Sequence, residues 1–545
     1  MEITLTQGIL IGLITAFCYS GMLLGIYTNR AIVMAFLVGV VLGDIQTALI
    51  FGAISELAFM GFGVGAGGTV PPNPVGPGIV GTIMAITLKN EGITPESALA
   101  LSFPFAILFQ FVTTASYTVF AGSQKWAKSA IEKGQWGLFS LIANSTYIWL
   151  SVIGFVIGLA ASLSLPGLKL FVEFLPQWLI TGFSVAGGLI PAIGFAMILS
   201  VMLKKELTPY VMLGYVCIAY LDLPIMGVAF VGTVFTLISY YGKGNAVNNV
   251  VVNNNVKQQQ IILMRRIFQM ESKANNNNLT KKDYMVATLR SYLLQSGFNY
   301  TVYQGISYLN VILPGLKKIY KNDEKKLKET AIANLEFYNT NPQILPFITN
   351  LQLAMYKDGQ SIDDVRSIKM ALMGPLSGIG DSIAQFGIAP LYSTIFAGLA
   401  LSGLAFAPLG YLFAMVGTML IIKMIMGYLG YKLGTAAIKT LSSKIGEISE
   451  AANIVGVTVI SALATKFVKA KLAIDYVTTV TLDGQTAEKV ISIQEVLDKI
   501  MPNLLPVATT VVVFYLLKKK KWNTYQLLML LFAVGIAFST LGILK

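Results

Sequence analysis

Long apolar runs separated by short polar breaks make up most of this chain. Because a transmembrane helix needs about 20 consecutive, mostly apolar residues, such runs predict membrane-spanning helices. Their pattern lacks the short alternating segments of a membrane barrel. The first run, about 9–27, has no basic region before it and predicts a retained helix rather than a cleaved signal. Stretches without any charged side chain cover residues 174–203, 382–422, 501–517 and 522–544.

A change of pattern in the middle of the chain predicts two units. Residues 1–241 read as a nearly continuous membrane unit, and 242–278 as an asparagine-rich, basic linker. In 279–370 charges return, and apolar residues recur every three or four positions, which predicts amphipathic helices that lie on the membrane surface or pack against the first unit. Membrane helices follow in 371–545.

Within that last part, an extramembrane β-hairpin is predicted at about 470–500. The sequence YVTTVTLDGQTAEKVISI alternates on either side of Asp483-Gly484, the pattern of two strands joined by a tight turn. The predicted fold class is therefore an all-α polytopic membrane protein. It has two related helical units with broken or re-entrant hairpins, plus this short β-hairpin.

Composition supports the membrane assignment. Only 12% of the residues are charged, against about 25% in soluble proteins, and the mean hydropathy is +0.69. The net charge is +13. Basic residues concentrate in 242–290 and in Lys518–Lys521, which the positive-inside rule assigns to the cytoplasmic side. No aromatic platform or groove-reading helix accompanies this charge, so nucleic acid is not an expected partner.

Several kinds of chemistry are absent from the sequence. The chain has no histidine, so it cannot relay protons, bind metals or carry a phosphoryl group through that side chain. Cys18 and Cys217 stand alone in apolar surroundings, and there is no GxxxxGK[ST] phosphate loop. We therefore expect no catalytic residue, no metal site and no cofactor.

The segment GGTVPPNPVGPGIVGT, residues 67–82, is unusual among apolar runs because it is rich in glycine and proline. Non-helical backbone at membrane depth is tolerated only where protein encloses it or where it lines a wet cavity. One interpretation is a re-entrant or broken-helix hairpin that offers hydrogen bonds to a polar solute. The alternative is a surface loop between two spans.

Isolated polar side chains inside apolar segments are the candidate ligand contacts, because such groups are costly in a membrane. In the first unit these are Glu56, Asn73 and Gln110. In the second unit, MGPLSGIGDSI at 373–383 partly repeats the glycine-rich segment and contains Asp381. The alternative role for Asp381 is that of a helix N-cap. In QSGFNYTVYQG, Asn299 and Gln304 lie beside aromatic residues. Amides next to aromatic rings are typical of sugar-binding sites, and the alternative is the surface of an ordinary amphipathic helix.

These motifs resemble the membrane components of the mannose-type sugar phosphotransferase system. Residues 1 to about 241 resemble its EIIC subunit in MEITLTQ, VVLGDIQTALIFGAISELAFMG and GGTVPPNPVGPGIVGT. Residues about 279–545 resemble its EIID subunit in LTKKDYMVATLRSYLLQSGFNYTVYQG, LEFYNTNP, ALMGPLSGIGDSI and KKKKWNTYQLLMLLFAVGIAFSTLGI. The chain departs from the family in joining the two subunits, in having Asn341 where histidine is common, and in having only small residues in GFGVGAGG.

The resemblance implies a permease that moves a hexose-type sugar of the mannose, glucose, fructose, sorbose or amino sugar class across the bacterial inner membrane. It implies an elevator-like motion, a homo-trimer of EIIC–EIID units, and phosphorylation of the sugar by a soluble EIIAB partner. The sugar site carried over by the resemblance comprises Glu56, Asn73 and Gln110, then Gln7 and Asp44. Asn299, Gln304 and Asp381 are secondary candidates, expected chiefly to support packing between the units.

Two other functions fit the same residues. An ion-coupled secondary transporter would use the carboxylates of Asp44, Glu56 and Asp222. A membrane receptor or docking protein would bind a ligand without moving it. Uptake that depends on phosphoenolpyruvate and soluble carriers would favour the phosphotransferase permease over both.

Overall fold

A computed structural model describes residues 3–61, 72–164, 167, 174–244, 279–433, 453–482 and 485–545 of the chain. Most of the predicted linker (245–278) and the first part of the glycine-rich segment (67–71) lie outside these described residues. Helices dominate the described part, as predicted for an all-α polytopic protein.

The first half begins with a helix whose ends follow from local sequence. Thr4 and Gln7 form a capping box at its start, and Gly25 ends it in a left-handed conformation with φ of 64°. The described helices of this half are α1 (Leu5–Leu24), α2 (Ala31–Leu42), α3 (Ile45–Phe59), α4 (Thr82–Thr87), α5 (Pro95–Val119), α6 (Ser123–Glu132), α7 (Trp136–Ala143), α8 (Ser145–Leu163), α9 (Gln177–Leu189), α10 (Pro191–Met202), α11 (Thr208–Ala219) and α12 (Ile225–Gly244).

The second half starts with shorter helices and continues into long apolar ones. Its described helices are α13 (Lys281–Arg290), α14 (Gly305–Ile319), α15 (Glu324–Ala333), α16 (Leu345–Lys357), α17 (Ile362–Ile383), α18 (Ala389–Leu401), α19 (Ala407–Leu433), α20 (Asn453–Phe467), α21 (Ile493–Ile500), α22 (Leu504–Lys518) and α23 (Thr524–Thr540). Among the described residues, six helices are long and apolar enough to cross a bilayer, or seven if α21 and α22, bent by 77°, form one span.

The β-hairpin lies where the alternating pattern predicts it. Strands β1 (Asp475–Leu482) and β2 (Gln485–Ser492) pair antiparallel, with Tyr476 opposite Ile491 and Leu482 opposite Gln485. This register leaves two residues for the loop, as expected for a tight turn. Those two residues, 483 and 484, are outside the described part of the chain.

Two hydrophobic clusters of buried residues form the core, and both halves contribute to each. The larger one joins α1–α5 and α9–α11 with residues of α18–α20 and α22–α23. The smaller one is built on α13–α17 and includes Phe139 and Ala143 of α7. The amphipathic helices of 279–370 therefore pack against the first half, one of the two arrangements predicted for them.

Residues 72–82 of the glycine-rich segment are enclosed by protein, and a surface loop is wrong for them. All but Pro74 are buried. Helical structure begins at Val75 and continues through a π-helical turn, Pro77–Gly81, into α4. Gly76 allows this close packing, because a Cβ there would lie 2.6 Å from the carbonyl oxygen of Phe105.

The predicted second broken hairpin differs from the structure. Residues 373–383 belong to the continuous helix α17, so the glycine-proline pair does not interrupt it. Glycine and proline are tolerated inside membrane helices where neighbouring groups satisfy the freed backbone. The irregularity comes directly after α17, as a π-helical turn at Ala384–Ile388. Consequently Asp381 lies in the last turn of α17 and is not a helix N-cap.

Candidate functional site

A polar cavity of about 320 Å³ opens between the two halves of the chain, and we call it the inter-half pocket. This volume lies at the lower end of the range of small-molecule sites, about 300–1,000 Å³. The first half lines it with Tyr27 and Arg30 from the turn between α1 and α2. The second half contributes Gln304, the segment 339–343, Asp381 of α17 and Gln385 of the following π-helical turn.

The turn between α1 and α2 directs polar groups into this pocket. Tyr27 has a φ of 58°, a left-handed conformation that is uncommon for a residue with a side chain and that concentrates at functional sites. Its ring is buried, and its hydroxyl faces the side chains of Gln343 and Gln385 without forming a hydrogen bond of normal geometry. Arg30, at the end of the turn, is the N-cap of α2.

Arg30 is held by an ion pair behind the pocket wall. Its Nε lies 2.8 Å from Oε1 of Glu56, and Nη2 shares the same oxygen. Only 1% of the Glu56 side chain is exposed. Ser393 of α18 donates to the same carboxylate at 2.6 Å. Glu56 therefore fixes the orientation of a guanidinium that lines the pocket, rather than lining it itself.

Side-chain contacts hold the segment 339–343, which has no helix or strand structure. The Gln304 amide pairs with both backbone groups of Thr340, accepting from its N–H at 2.8 Å and donating to its carbonyl at 2.9 Å. Asn341 donates from Nδ2 to Oδ1 of Asp381 at 2.9 Å. Two of the secondary candidates, Gln304 and Asp381, are thus brought together in the inter-half pocket.

One buried acceptor in this segment lacks a partner. Oε1 of Gln343, a residue with 2% exposure, makes no hydrogen bond to the described part of the protein. A buried polar atom without a partner costs about 1–3 kcal/mol. The Tyr27 hydroxyl faces the same amide, so this pair of buried polar groups is available to a polar guest in the pocket.

The other candidates of the first half lie elsewhere. Asn73 is buried, where its Oδ1 accepts from the Val75 N–H at 3.0 Å and its Nδ2 donates to Thr113 at 3.4 Å. It therefore organises the enclosed glycine-rich segment against α5. Gln110, one turn before Thr114 on the same helix, donates to that hydroxyl at 3.3 Å. None of the described hydrogen bonds joins Asn73 or Gln110 to Glu56.

Gln7 and Asp44 serve as helix caps at one end of the first half. Gln7 completes the capping box of α1 and donates to the Val41 carbonyl at 3.1 Å. Asp44 caps α3 through Thr47 and pairs with Lys89 at 3.3 Å. These contacts within the protein explain why Gln7 and Asp44 are polar, so neither side chain needs a ligand.

Asn299 has its hydrogen bonds satisfied within the protein. Its Oδ1 accepts from the N–H groups of Thr301 and Val302, at 3.0 and 3.1 Å, and its Nδ2 lies 3.4 Å from the Ser123 hydroxyl of α6. It shapes the loop before α14 and contacts the first half. Asp222, invoked for ion coupling, is exposed in the turn between α11 and α12.

Sequence reasoning missed Arg30, Gln385 and Lys423. Arg30 is the only charged residue between Glu2 and Asp44, and that isolation was a usable signal. Lys423 directly follows the long uncharged run 382–422 and is buried in α19. Among the described residues, no group of three or more acidic or cysteine side chains is arranged to hold a metal ion.

Comparisons with known proteins cover both halves. A family model described as PTS system sorbose-specific iic component matches residues 5–238, and one described as PTS system mannose/fructose/sorbose family IID component matches residues 278–544. N-acetylgalactosamine permease IIC component 1 of Escherichia coli (strain K12) is 34% identical over 249 residues, which are 44% of this chain and 90% of that protein.

The second half has a relative in the same strain. The PTS system mannose-specific EIID component of Escherichia coli (strain K12) is 30% identical over 272 residues, 49% of this chain and 95% of that protein. A solved cryo-EM structure of the mannose transporter ManYZ in complex with microcin E492 aligns with a TM-score of 0.28 and 28% identity, covering 49% of this chain and 99% of that one.

The two relatives are matched over nearly their whole lengths, and the apolar helices fit a multi-pass protein of the bacterial inner membrane. The chain belongs to the mannose/fructose/sorbose family of phosphotransferase-system sugar permeases, with a IIC component in its N-terminal part and a IID component in its C-terminal part.

Proposed function

We propose that the inter-half pocket binds the transported sugar, a hexose of the mannose, glucose, fructose, sorbose or amino sugar class. The observation that carries this proposal is the lining, in which side chains from the IIC and IID parts surround a polar cavity containing unused hydrogen-bonding groups. Relatives named for mannose, sorbose, fructose and N-acetylgalactosamine support the substrate class.

The lining suits a polyhydroxylated guest. Each sugar hydroxyl can donate one hydrogen bond and accept two. Asp381 and the Gln343 carbonyl oxygen provide acceptors, Arg30 provides donors, and the Tyr27 hydroxyl and the Gln385 amide can do both. Asn341 occupies only one oxygen of Asp381 among the described hydrogen bonds, so lone pairs of this carboxylate remain for the sugar.

The chain acts as the transport component, and a soluble EIIAB partner carries and transfers the phosphoryl group. The absence of histidine from all 545 residues supports this division, because the phosphocarriers of the family are histidines of that partner. A homo-trimer of IIC–IID units and an elevator-like movement of the sugar are part of the same proposal and rest on the family alone.

In a second proposal for the site, the sugar binds beside the enclosed segment 72–82. The candidate contacts are then Asn73, Gln110, Gln7 and Asp44. Asn73 donates to the Thr113 hydroxyl of α5, and Gln110 donates to the Thr114 hydroxyl of the same helix. The two locations make different predictions, because none of these four residues lines the inter-half pocket.

Membrane vesicles containing the full chain provide the test. Sugar phosphate should accumulate only when phosphoenolpyruvate and the soluble carriers are supplied, across a panel of hexoses. Asp381→Asn and Gln385→Ala should each reduce uptake at least about tenfold, as expected for the loss of a buried hydrogen bond to the substrate. Asp363→Asn, exposed at the start of the same helix α17, and Gln177→Ala, exposed at the start of α9, are the matched controls.

Three results would overturn parts of this proposal. Uptake driven by a proton or sodium gradient alone would establish an ion-coupled transporter, and binding without flux would establish a receptor. Loss of uptake in Asn73→Ala and Gln110→Ala, with normal uptake in Asp381→Asn and Gln385→Ala, would move the site to the segment 72–82.

A further inference from the structure

Lys423 is a buried lysine in the middle of an apolar helix. It belongs to α19, a candidate membrane span, and only 1% of its side chain is exposed. Its Nζ donates to the carbonyl oxygen of Pro342 at 2.6 Å and to the Ser291 hydroxyl at 2.9 Å, and it lies 4.5 Å from the centre of the Tyr292 ring. No described carboxylate lies within ion-pair distance of it.

Burying a lysine at this position costs free energy, which favours a functional role for it. Ionisable groups inside membrane spans are rare for energetic reasons and usually mark functional positions. The ammonium has three donors and no acceptor. Here two donors reach neutral oxygens, and the π face of Tyr292 provides a further attraction.

The shorter of the two hydrogen bonds leads directly to the inter-half pocket. Pro342 belongs to the segment 339–343 that forms one wall of this pocket. Gln304 holds the segment at Thr340, Asp381 holds it at Asn341, and Lys423 holds it at the next residue. The segment lies outside the helices and strands, so side chains from three separate elements help to fix its path, together with local bonds such as the one from the Gln343 N–H to Oδ1 of Asn341.

We propose that Lys423 is a positioning residue of the sugar site. By binding the Pro342 carbonyl, its ammonium fixes the backbone between Asn341 and Gln343. This keeps Asn341 on Asp381 and keeps the unpaired Oε1 of Gln343 in the pocket wall. The inference rests on the proposed function, because it assumes that the sugar binds in the inter-half pocket.

A binding measurement on the purified full chain tests this role without the soluble carriers. Lys423→Met removes the ammonium and keeps an unbranched apolar side chain that is one atom shorter. The probe is the hexose with the highest uptake in the vesicle panel, and we expect its Kd, measured by calorimetry or thermal shift, to rise at least about tenfold. In transport assays KM should rise more than kcat falls. Lys423→Gln, which keeps an N–H donor on a shorter side chain, is the second variant if the first does not fold.

Two controls separate positioning from simple stabilisation. Ser291→Ala removes the contact of the same ammonium that lies outside the pocket and keeps the one to Pro342, so the Kd should stay within about twofold of wild type. Lys432→Met changes an exposed lysine on the same helix and should have no effect. A fall in unfolding temperature in Lys423→Met and Ser291→Ala alike, with unchanged Kd in both, would show a purely structural role and overturn the inference.

Asp381→Asn and Gln385→Ala distinguish the two possible failures. If both retain wild-type affinity, the pocket is not the sugar site and the proposed function fails. If both lose affinity while Lys423→Met and Lys423→Gln retain it, the pocket stands and only the role of Lys423 is refuted.

Discussion

Ser393 donates a 2.6 Å hydrogen bond to the Glu56 carboxylate across 337 positions of the sequence. The hydroxyl comes from α18 in the IID part, and the carboxylate comes from α3 in the IIC part. The same Glu56 oxygen accepts from Arg30, whose Nη2 also donates to Ser393 at 3.1 Å. The cation that lines the inter-half pocket is therefore oriented by groups from both components.

This triad predicts a large effect for Glu56→Gln. The neutral amide would leave the Arg30 guanidinium buried without a counter-charge, and removing one partner of a buried ion pair costs about 3–5 kcal/mol. We expect phosphoenolpyruvate-dependent uptake to fall at least about tenfold and the unfolding temperature in detergent to decrease. Glu132→Gln, at a half-exposed position of α6, is the matched control and should behave as wild type. Wild-type uptake and stability in Glu56→Gln would contradict the role assigned to the pair.

A second prediction concerns pH and the buried Lys369. This residue lies in the part of α17 that precedes the candidate span, 3.0 Å from a Glu336 oxygen and above the rings of Tyr308 and Tyr338. Burial lowers the pKa of Lys369 to about 8, although Glu336 opposes the shift. Between this value and the usual 10.5, the unfolded state binds more protons, so this lysine makes stability rise with pH.

The variant Lys369→Met lacks that titration. Raising the pH from about 7.5 to 9.5 should therefore increase the unfolding temperature of the wild type relative to that of the variant. Comparing the two proteins cancels the other groups that titrate in this range. Parallel pH profiles would show that Lys369 keeps an ordinary pKa in the folded protein.

The fold class could be predicted from the sequence because its signals are local. Uncharged runs of helix length define the spans, and the alternation around residues 483–484 defines the hairpin. Glycine and proline were poorer guides. They marked the irregular segment at 72–82, but at 373–383 the helix continues, with open space beside Gly374 and Gly378.

The pocket could not be predicted because its residues meet only through tertiary packing. Arg30 and Glu56 are 26 positions apart, and Asn341 and Asp381 are 40 apart, in elements whose relative placement no local pattern encodes. Asn73 and Asn299 were conspicuous as polar residues, yet each satisfies the backbone of its own loop. A polar residue in an apolar segment therefore indicates a side chain that is costly to bury. It does not show whether that side chain binds a ligand or hydrogen-bonds within the protein.

A third prediction is that the two halves associate without a covalent connection. Backbone and hydroxyl groups join them closely: the Tyr147 N–H donates to the Ser296 carbonyl at 2.8 Å, and the Ser296 hydroxyl donates to the Ala143 carbonyl at 2.8 Å. Co-expressed fragments 1–244 and 279–545 should therefore co-purify through a tag on one of them and retain sugar uptake.

Gly297 provides the control for this association. A Cβ at this position would lie 2.6 Å from the carbonyl oxygen of Ala143 in the other half. Gly297→Leu should thus prevent co-purification of the fragments while each still inserts into membranes. If the unmodified fragments purify separately, the contacts between the halves depend on the connecting segment.

The last prediction tests the enclosed segment itself through Gly76. Its position against the backbone of Phe105 leaves no room for a methyl group, and because the neighbours are main-chain atoms they cannot move aside cheaply. Gly76→Ala should lower both the yield of folded protein and its unfolding temperature. Gly417→Ala makes the same change inside α19, where nothing beyond the local helix backbone lies within 4 Å of the added carbon, and should be neutral or stabilising by up to about 1 kcal/mol. Equal stability of the two variants would mean that the segment does not pack against α5. Close packing would then not explain the glycine at position 76.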